Sequence, residues 1–480
     1  MTEDAKREPD WTTRTMLVMA SGFLLFTATM YWRTLLTNFV YDDWFVLDDL
    51  QNAGILNTLL QHVDPVGAIV FRPLAWFYFA VMFGLFGLNP LPFHLVALLL
   101  QALNGTIVAW IGARISGKKL AGVLAGGVFI AHSSLHLDCF LWCVGIYDVG
   151  AMTCALLSMV FLMQGRARWS AAAMASAFLM KEAVVFLPLL LLFWVLLANR
   201  PLRDLTYHGV VTGAYVCVKL LGASPFVTPR DSGHAMELSG SVLLGRTSEY
   251  LSWLATAFLP VLESSPLDYI VPILVLLLLC MWGIARYRLE RRVPPTIVFF
   301  LLGWIVLALM PVLLLKNQSA RYYSVHALVP VVILTAIMLS EITARLSRNG
   351  KAAAAMFVLA SIAIANAWHV ESMFSQGLRQ VIINDGYFHL IKRTAAVEAI
   401  YDTLQHCPQG VPHGATVFID GVPLDAVGGN RAVRLWFRDT TLHVQAGRPP
   451  LAPDSMRGPG SERGSVVFID LREASQPVLR

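Results

Sequence analysis

Apolar runs recur along this chain at lengths fit to cross a bilayer, and no other feature limits its fold so strongly. A bilayer core asks for about 20 mostly apolar residues per helix. Runs of that kind lie at Thr15–Leu36, Phe93–Ala113, Leu120–Leu135, Ile146–Met163, Trp169–Met180, Val184–Ala198, His208–Leu221, Tyr269–Ala285, Thr296–Leu315, Ser324–Leu339 and Ala352–Trp368, predicting about eleven transmembrane helices. Composition agrees: 56% of the residues are hydrophobic and 14% charged, whereas a soluble domain carries about 25% charged residues. A disordered chain, a soluble enzyme and a nucleic-acid binder are excluded. The lipid bilayer is the expected solvent.

Two more apolar stretches, Leu74–Leu88 and Leu243–Leu262, would each invert everything downstream if they crossed. Laid on the outer surface instead, they leave the basic residues of the membrane part about two to one on one side, which marks that side as cytoplasmic. Lys6, Arg7 and Arg14 fall there, with Arg286, Arg291, Arg345 and Lys351. The N-terminus is therefore expected in the cytoplasm and the C-terminus outside. The first run is expected to be a retained anchor, since no small-residue cleavage site follows it. Five of the six cysteines lie in apolar segments, so no disulfide framework is expected.

From about Val370 the sequence turns polar and turn-rich. Phe388, Ile391, Val397, Ile400 and Leu404 have helical spacing, and Ala415–Ile419 and Val466–Asp470 read as short buried strands ending in Asp. The expected organisation is a transmembrane domain over residues 1–369 and a small extracytoplasmic α/β domain over residues 370–480.

On this topology most unusual polar residues collect on the outer side: Asp42 and Asp43 after the first run, Arg72, His132, His136, Asp138, Asp148, Lys181-Glu182 and Arg321-Tyr322. Ionisable groups kept at a membrane face point to function. Their chemistry suits glycosyl transfer from a lipid phosphate. A carboxylate takes the proton of an attacking hydroxyl, a role for Asp42 or Asp43. Fixed cations meet the charge growing on the departing phosphate, a role for Arg72, Lys181 and Arg321. His136, Asp138, Asp148, Glu182 and Tyr322 are candidate supporting residues.

Structural readings stand beside these. Asp42 and Asp43 can form a capped turn, and Lys181 can pair with Glu182 across a tight hairpin. Arg321 can be an anchor in the aromatic belt. His132 and His136, at i, i+4 on one helical face, resemble metal ligands in type, but histidines at a helix end more often serve as hydrogen-bonders. Glu249 and Arg246 are expected to pair. The chemistry requires no cofactor or metal, and leaves a divalent ion open.

Four passages carry a family resemblance: Tyr41-Asp42-Asp43; Phe71-Arg72-Pro73-Leu74 through Asn89-Pro-Leu-Pro-Phe-His94 to Asn104; His136-Leu-Asp138 through Trp142 and Gly145 to Asp148; and Met180-Lys181-Glu182. Arg321-Tyr322-Tyr323 resembles a fifth. Together they resemble the GT-C membrane glycosyltransferases, and within them the protein O-mannosyltransferase-like group that includes the transmembrane-and-tetratricopeptide enzymes. The resemblance implies a polyprenyl-phosphate-linked sugar donor (mannose being one candidate sugar), an inverting transfer, a site facing outside and a catalytic carboxylate in the first-loop acidic pair, with Asp42 favoured. This chain departs in having Asp138 where relatives have Glu, Ile146-Tyr147 where they have a basic residue, and no tetratricopeptide array. A bacterial inner-membrane homologue using undecaprenyl phosphate is the resulting expectation, with a protein or glycan hydroxyl as acceptor. A transporter or flippase for lipid-linked glycan, or a catalytically degenerate scaffold, are the rival readings.

Overall fold

A computed structural model of the protein describes residues 11–65, 71–222, 236–256, 294–316, 318–343, 346–376, 389–407, 410–422, 424–447 and 466–470. The helices run α1 Thr13–Tyr31, α2 Asp43–Asn52, α3 Ile55–Val63, α4 Pro73–Phe86, α5 Leu91–Ser116, α6 Lys119–Ala131, α7 Ser133–Leu141, α8 Ile146–Met163, α9 Ala167–Met180, α10 Leu187–Leu197, α11 Thr206–Leu221, α12 Gly240–Thr256, α13 Pro295–Leu313, α14 Val325–Ile342, α15 Arg348–Gln376, α16 His389–Gln405 and α17 Arg431–Phe437. Among the described residues six helices are long and apolar enough to cross a membrane, or seven if a bent pair is one span. The chain is a multi-pass integral membrane protein. Leu25, Val210 and Phe357 stay exposed on α1, α11 and α15, as lipid-facing residues would.

Most of the expected spans fall on these helices. The runs at Trp169–Met180, Val184–Ala198 and His208–Leu221 fall on α9, α10 and α11, which have 14, 11 and 16 residues. Tyr269–Ala285 lies outside the described residues, as does Leu243–Leu262 beyond Thr256. The run at Leu120–Leu135 is corrected. The helix breaks at His132 (φ −71°, ψ 74°) and continues as α7 to Leu141 after a bend of 54°. The break leaves His132 at the cap of α7, with its ring 6.3 Å from that of His136.

The core of the bundle is a seam of small residues between α5 and α6. A methyl group on Gly122 would lie 2.3 Å from the Ala109 carbonyl oxygen, and one on Gly126 2.4 Å from that of Gly105. Without a hydrophobic drive between helices in lipid, close backbone approach is what binds them. Tyr31, fully buried at the end of α1, locks onto the seam by donating its hydroxyl to the Ile130 carbonyl at 2.7 Å.

After α15 the chain builds a three-stranded parallel sheet. Strands β1 (Thr416–Asp420), β2 (His443–Ala446) and β3 (Val466–Asp470) stand in the order β2-β1-β3, with Thr416 opposite both His443 and Val466. Val417 and Ile419 of the central strand are buried, with Val397, Ile400 and Leu404 of α16 and Val433 of α17 in the same core. The sequence pattern had given β1, β3 and α16. Strand β2 escapes it because three of its four side chains are exposed, so it shows no buried face.

Candidate active site

The short loop after α1 places the two acids in opposite settings. Asp43 begins α2 and is fully buried. Its carboxylate accepts N–H groups from Val40 (3.0 Å), Cys143 (3.2 Å) and Val144 (2.8 Å). Burial pushes its carboxyl up to about 7, against those three donors. Asp43 thereby ties the first loop to the turn between α7 and α8. Asp42 sits one residue earlier, half-buried, and its side chain does not cap the helix. Burial raises its carboxyl too, countered by Arg393 and Arg72 and reinforced by Asp425. Asp42 is the open acid of the pair.

Tyr41, before them, has φ +57°. A bulky side chain in this left-handed region costs of order 1–3 kcal/mol and persists only where its surroundings enforce it. Its N–H donates to the Ala426 carbonyl at 3.0 Å, and the Arg393 guanidinium lies over its ring at 4.7 Å. The chain's last part thus reaches back onto the acidic loop.

Beside that loop four charges interlock. Arg72, just before Pro73 opens α4, donates Nε to Glu182 at 2.9 Å and closes a second bond with Nη2. Lys181 donates Nζ to both Asp148 oxygens at 2.7 and 2.6 Å. Arg72 lies over Tyr147 at 5.2 Å, and Lys181 over Tyr322 at 5.0 Å and Tyr323 at 5.4 Å. The expected Lys181–Glu182 pair is therefore replaced by two crossed pairs. Lys181 is extended (φ −161°, ψ 139°) between α9 and the next helical turn, and adjacent extended residues point to opposite sides. Donors remain for a ligand: Arg carries five N–H groups, of which Glu182 takes two.

The other candidates separate from this cluster. Arg321 lies over Trp253 at 5.8 Å and within electrostatic reach of Asp138; Tyr322, not Arg321, faces Lys181. His136 is buried and bonds the Phe129 carbonyl at 2.9 Å, leaving it inside the bundle. Among the described residues no group of three or more His, Cys, Asp or Glu is placed to hold a metal ion. The Arg246–Glu249 pair forms at 2.8 Å. Residues not singled out in the sequence also reach the site. Tyr147 underlies Arg72, and Trp142 bridges Tyr41 (6.1 Å) and Tyr322 (6.0 Å) between ring centroids. Both stood inside the third resemblance passage, which was the available signal.

An apolar groove of about 340 Å³ runs along α4, α5, α8 and α9, lined by Leu74, Phe77, Tyr78, Ile146, Thr153 and Met180. Three of its lining residues are close neighbours of the charged residues in sequence. Leu74 is two residues past Arg72, Ile146 directly precedes Tyr147, and Met180 directly precedes Lys181.

No protein-family model matches the chain, and no curated protein matches it. Among solved structures it is similar to ArnT from Cupriavidus metallidurans bound to undecaprenyl phosphate, at a TM-score of 0.51 and 15% identity, over 90% of this chain and 86% of that one. The chain shares the fold of that structure. At this identity the likeness is one of architecture. It agrees with the fold class expected from the sequence, helices of a GT-C membrane protein with a small C-terminal α/β region. The fold brings the residue before α4, the start of α8 and the α9–α10 turn together, and so assembles four of the candidate charges, Arg72, Asp148, Lys181 and Glu182, in one place.

Proposed function

We propose that the protein is a membrane glycosyltransferase that moves one sugar from a polyprenyl-phosphate carrier to a hydroxyl acceptor at the extracytoplasmic face. The observation that carries this reading is the set of four interlocked charges, Arg72, Glu182, Lys181 and Asp148, with an apolar groove lined by their sequence neighbours: an anionic head and a greasy chain need both. The ArnT structure, which holds undecaprenyl phosphate, supports the same class of lipid. In the reaction the acceptor oxygen attacks the anomeric carbon from the face opposite the phosphate, its proton passing to Asp42. The carbon–oxygen bond to phosphate breaks and its electron pair leaves with the phosphate, so configuration inverts. Arg72 and Lys181 hold the departing oxygens with the donors left beyond Glu182 and Asp148. A carboxylate raised above its usual range is a stronger base near neutral pH. Asp43, saturated by backbone donors, holds the loop that presents Asp42. The family resemblance favours a hexose, with mannose first to try, and an inner-membrane setting with the N-terminus in the cytoplasm.

The test is a transfer assay in proteoliposomes containing undecaprenyl-phosphate hexoses, read as release of undecaprenyl phosphate. Hexose-dependent release by wild type, and its loss in Asp42→Asn with the fold intact, are the expected results. Release that survives Asp42→Asn overturns Asp42 as base. Lipid binding without release from any tested donor favours the scaffold reading.

A further inference from the structure

The mechanism above leaves unused a long-range contact to the acidic loop, the one made by the C-terminal region. Ala426 accepts the Tyr41 N–H, and Arg393 of α16 covers the Tyr41 ring. Arg393 is itself forked onto Asp425, with Nε to Oδ1 at 3.2 Å. Around this, Trp44 meets Trp436 edge-on at 5.3 Å, and Arg431 lies over Phe45 at 3.9 Å and near Asp48 at 3.5 Å. Gly428 (φ +60°) lets the two parts close, since a methyl group there would sit 2.8 Å from the Trp44 Cβ. Such an interface fixes Tyr41 in a conformation that it would not hold alone, and Tyr41 is bonded directly to Asp42.

We infer that Arg393 is a positioning residue for Asp42: the C-terminal region completes the active site by clamping Tyr41 and setting a cation, balanced by Asp425, beside the base. This deepens the transferase reading of the same site. The ionisable groups within electrostatic reach of Asp42 are Arg393 and Asp425 from the C-terminal region, Arg72 from the loop before α4, Tyr147 of α8, and Tyr41 and Asp43 from its own segment. A cation close to a carboxylate favours its ionised form, and a nearby acid opposes it. Arg393 and Asp425 therefore pull Asp42 in opposite directions, which a purely structural strut would not do.

The experiment needs neither sugar nor acceptor. The full-length protein in detergent is labelled with a carbodiimide over a range of pH, and modification of Asp42 is read by peptide mass spectrometry, with Asp42→Asn as the blank. In Arg393→Gln the midpoint for Asp42 moves to higher pH, by about one unit for loss of one neighbouring cation. In Arg393→Lys, which keeps the charge, most of that shift is undone. In Asp425→Asn, which keeps Arg393, the midpoint moves the other way. Thermal unfolding of each variant reports whether the fold persists. Unmoved midpoints, shifts of the same sign in Arg393→Gln and Asp425→Asn, or a lysine that restores nothing would overturn the inference. A transferase assay that fails with every donor would leave these midpoints as they are.

Discussion

The small-residue seam and the charged end of the bundle hold together by different physics. At the seam Gly122 and Gly126 let α5 and α6 touch backbone to backbone, and shape does the work. At the charged end Arg72 before α4, Asp148 of α8 and the adjacent Lys181 and Glu182 are brought together in two crossed pairs. Burying charge is costly and adds little net stability compared with apolar packing. A fold keeping four such groups beside an open apolar groove gives up stability there that the seam must supply. The lesson is that stability and function separate in this molecule, and that adjacent residues can fall on opposite sides of the division. Asp43 belongs with the seam and Asp42 with the charges.

The sharpest break in that comparison is Asp42→Asn. We expect transfer to fall about 10³-fold, the usual scale for a lost general base, while the melting temperature in detergent holds; an equal loss of stability would place Asp42 with the framework. Gly126→Val should do the reverse. Overpacking against the Gly105 carbonyl and Phe23 costs about 1–3 kcal/mol, and more where backbone must move, which a lowered melting temperature would register. Asp43→Asn turns an acceptor into a donor facing backbone N–H groups, and should cost about 1–3 kcal/mol in stability. Any loss of transfer in that variant should follow its loss of folded protein.

A further test is one of pH. The Asp43 carboxyl is raised from 3.8 to about 7 in the fold, so the folded protein holds that proton more tightly than the unfolded chain. Its contribution to stability is full below pH 3.8 and is lost as pH rises through about 7. Melting of wild type should weaken over that window more than melting of Asp43→Asn, which has no proton to lose there. Parallel slopes in the two proteins would show that Asp43 stays ionised throughout.

Much of this could be read in the sequence because it is local. Apolar runs gave the helices, and Tyr41-Asp42-Asp43 stood out as polar groups just past an apolar run. Strand β1 was legible as a continuous apolar run, Val417-Phe418-Ile419, and its burial is as continuous, as in a central parallel strand. What escaped was long-range or conformational. The bend at His132 depends on one residue's dihedral angles. Lys181 and Glu182 looked like partners because they are adjacent, but an extended backbone sends them to Asp148 and Arg72. Arg393, 351 residues after Asp42 in numbering, carries no local mark of its place over Tyr41. Nor does a tyrosine announce a positive φ, which only the Ala426 carbonyl and Arg393 explain.

The central claim is that the apolar groove and the four charges together hold a polyprenyl phosphate. Cryo-electron microscopy of the protein with undecaprenyl phosphate tests it most directly. The account predicts lipid density along Leu74, Ile146 and Met180, with the phosphate within hydrogen-bond reach of Arg72 and Lys181 and on the same side as Asp42. An empty groove under saturating lipid, or a phosphate seated elsewhere on the bundle, would contradict it.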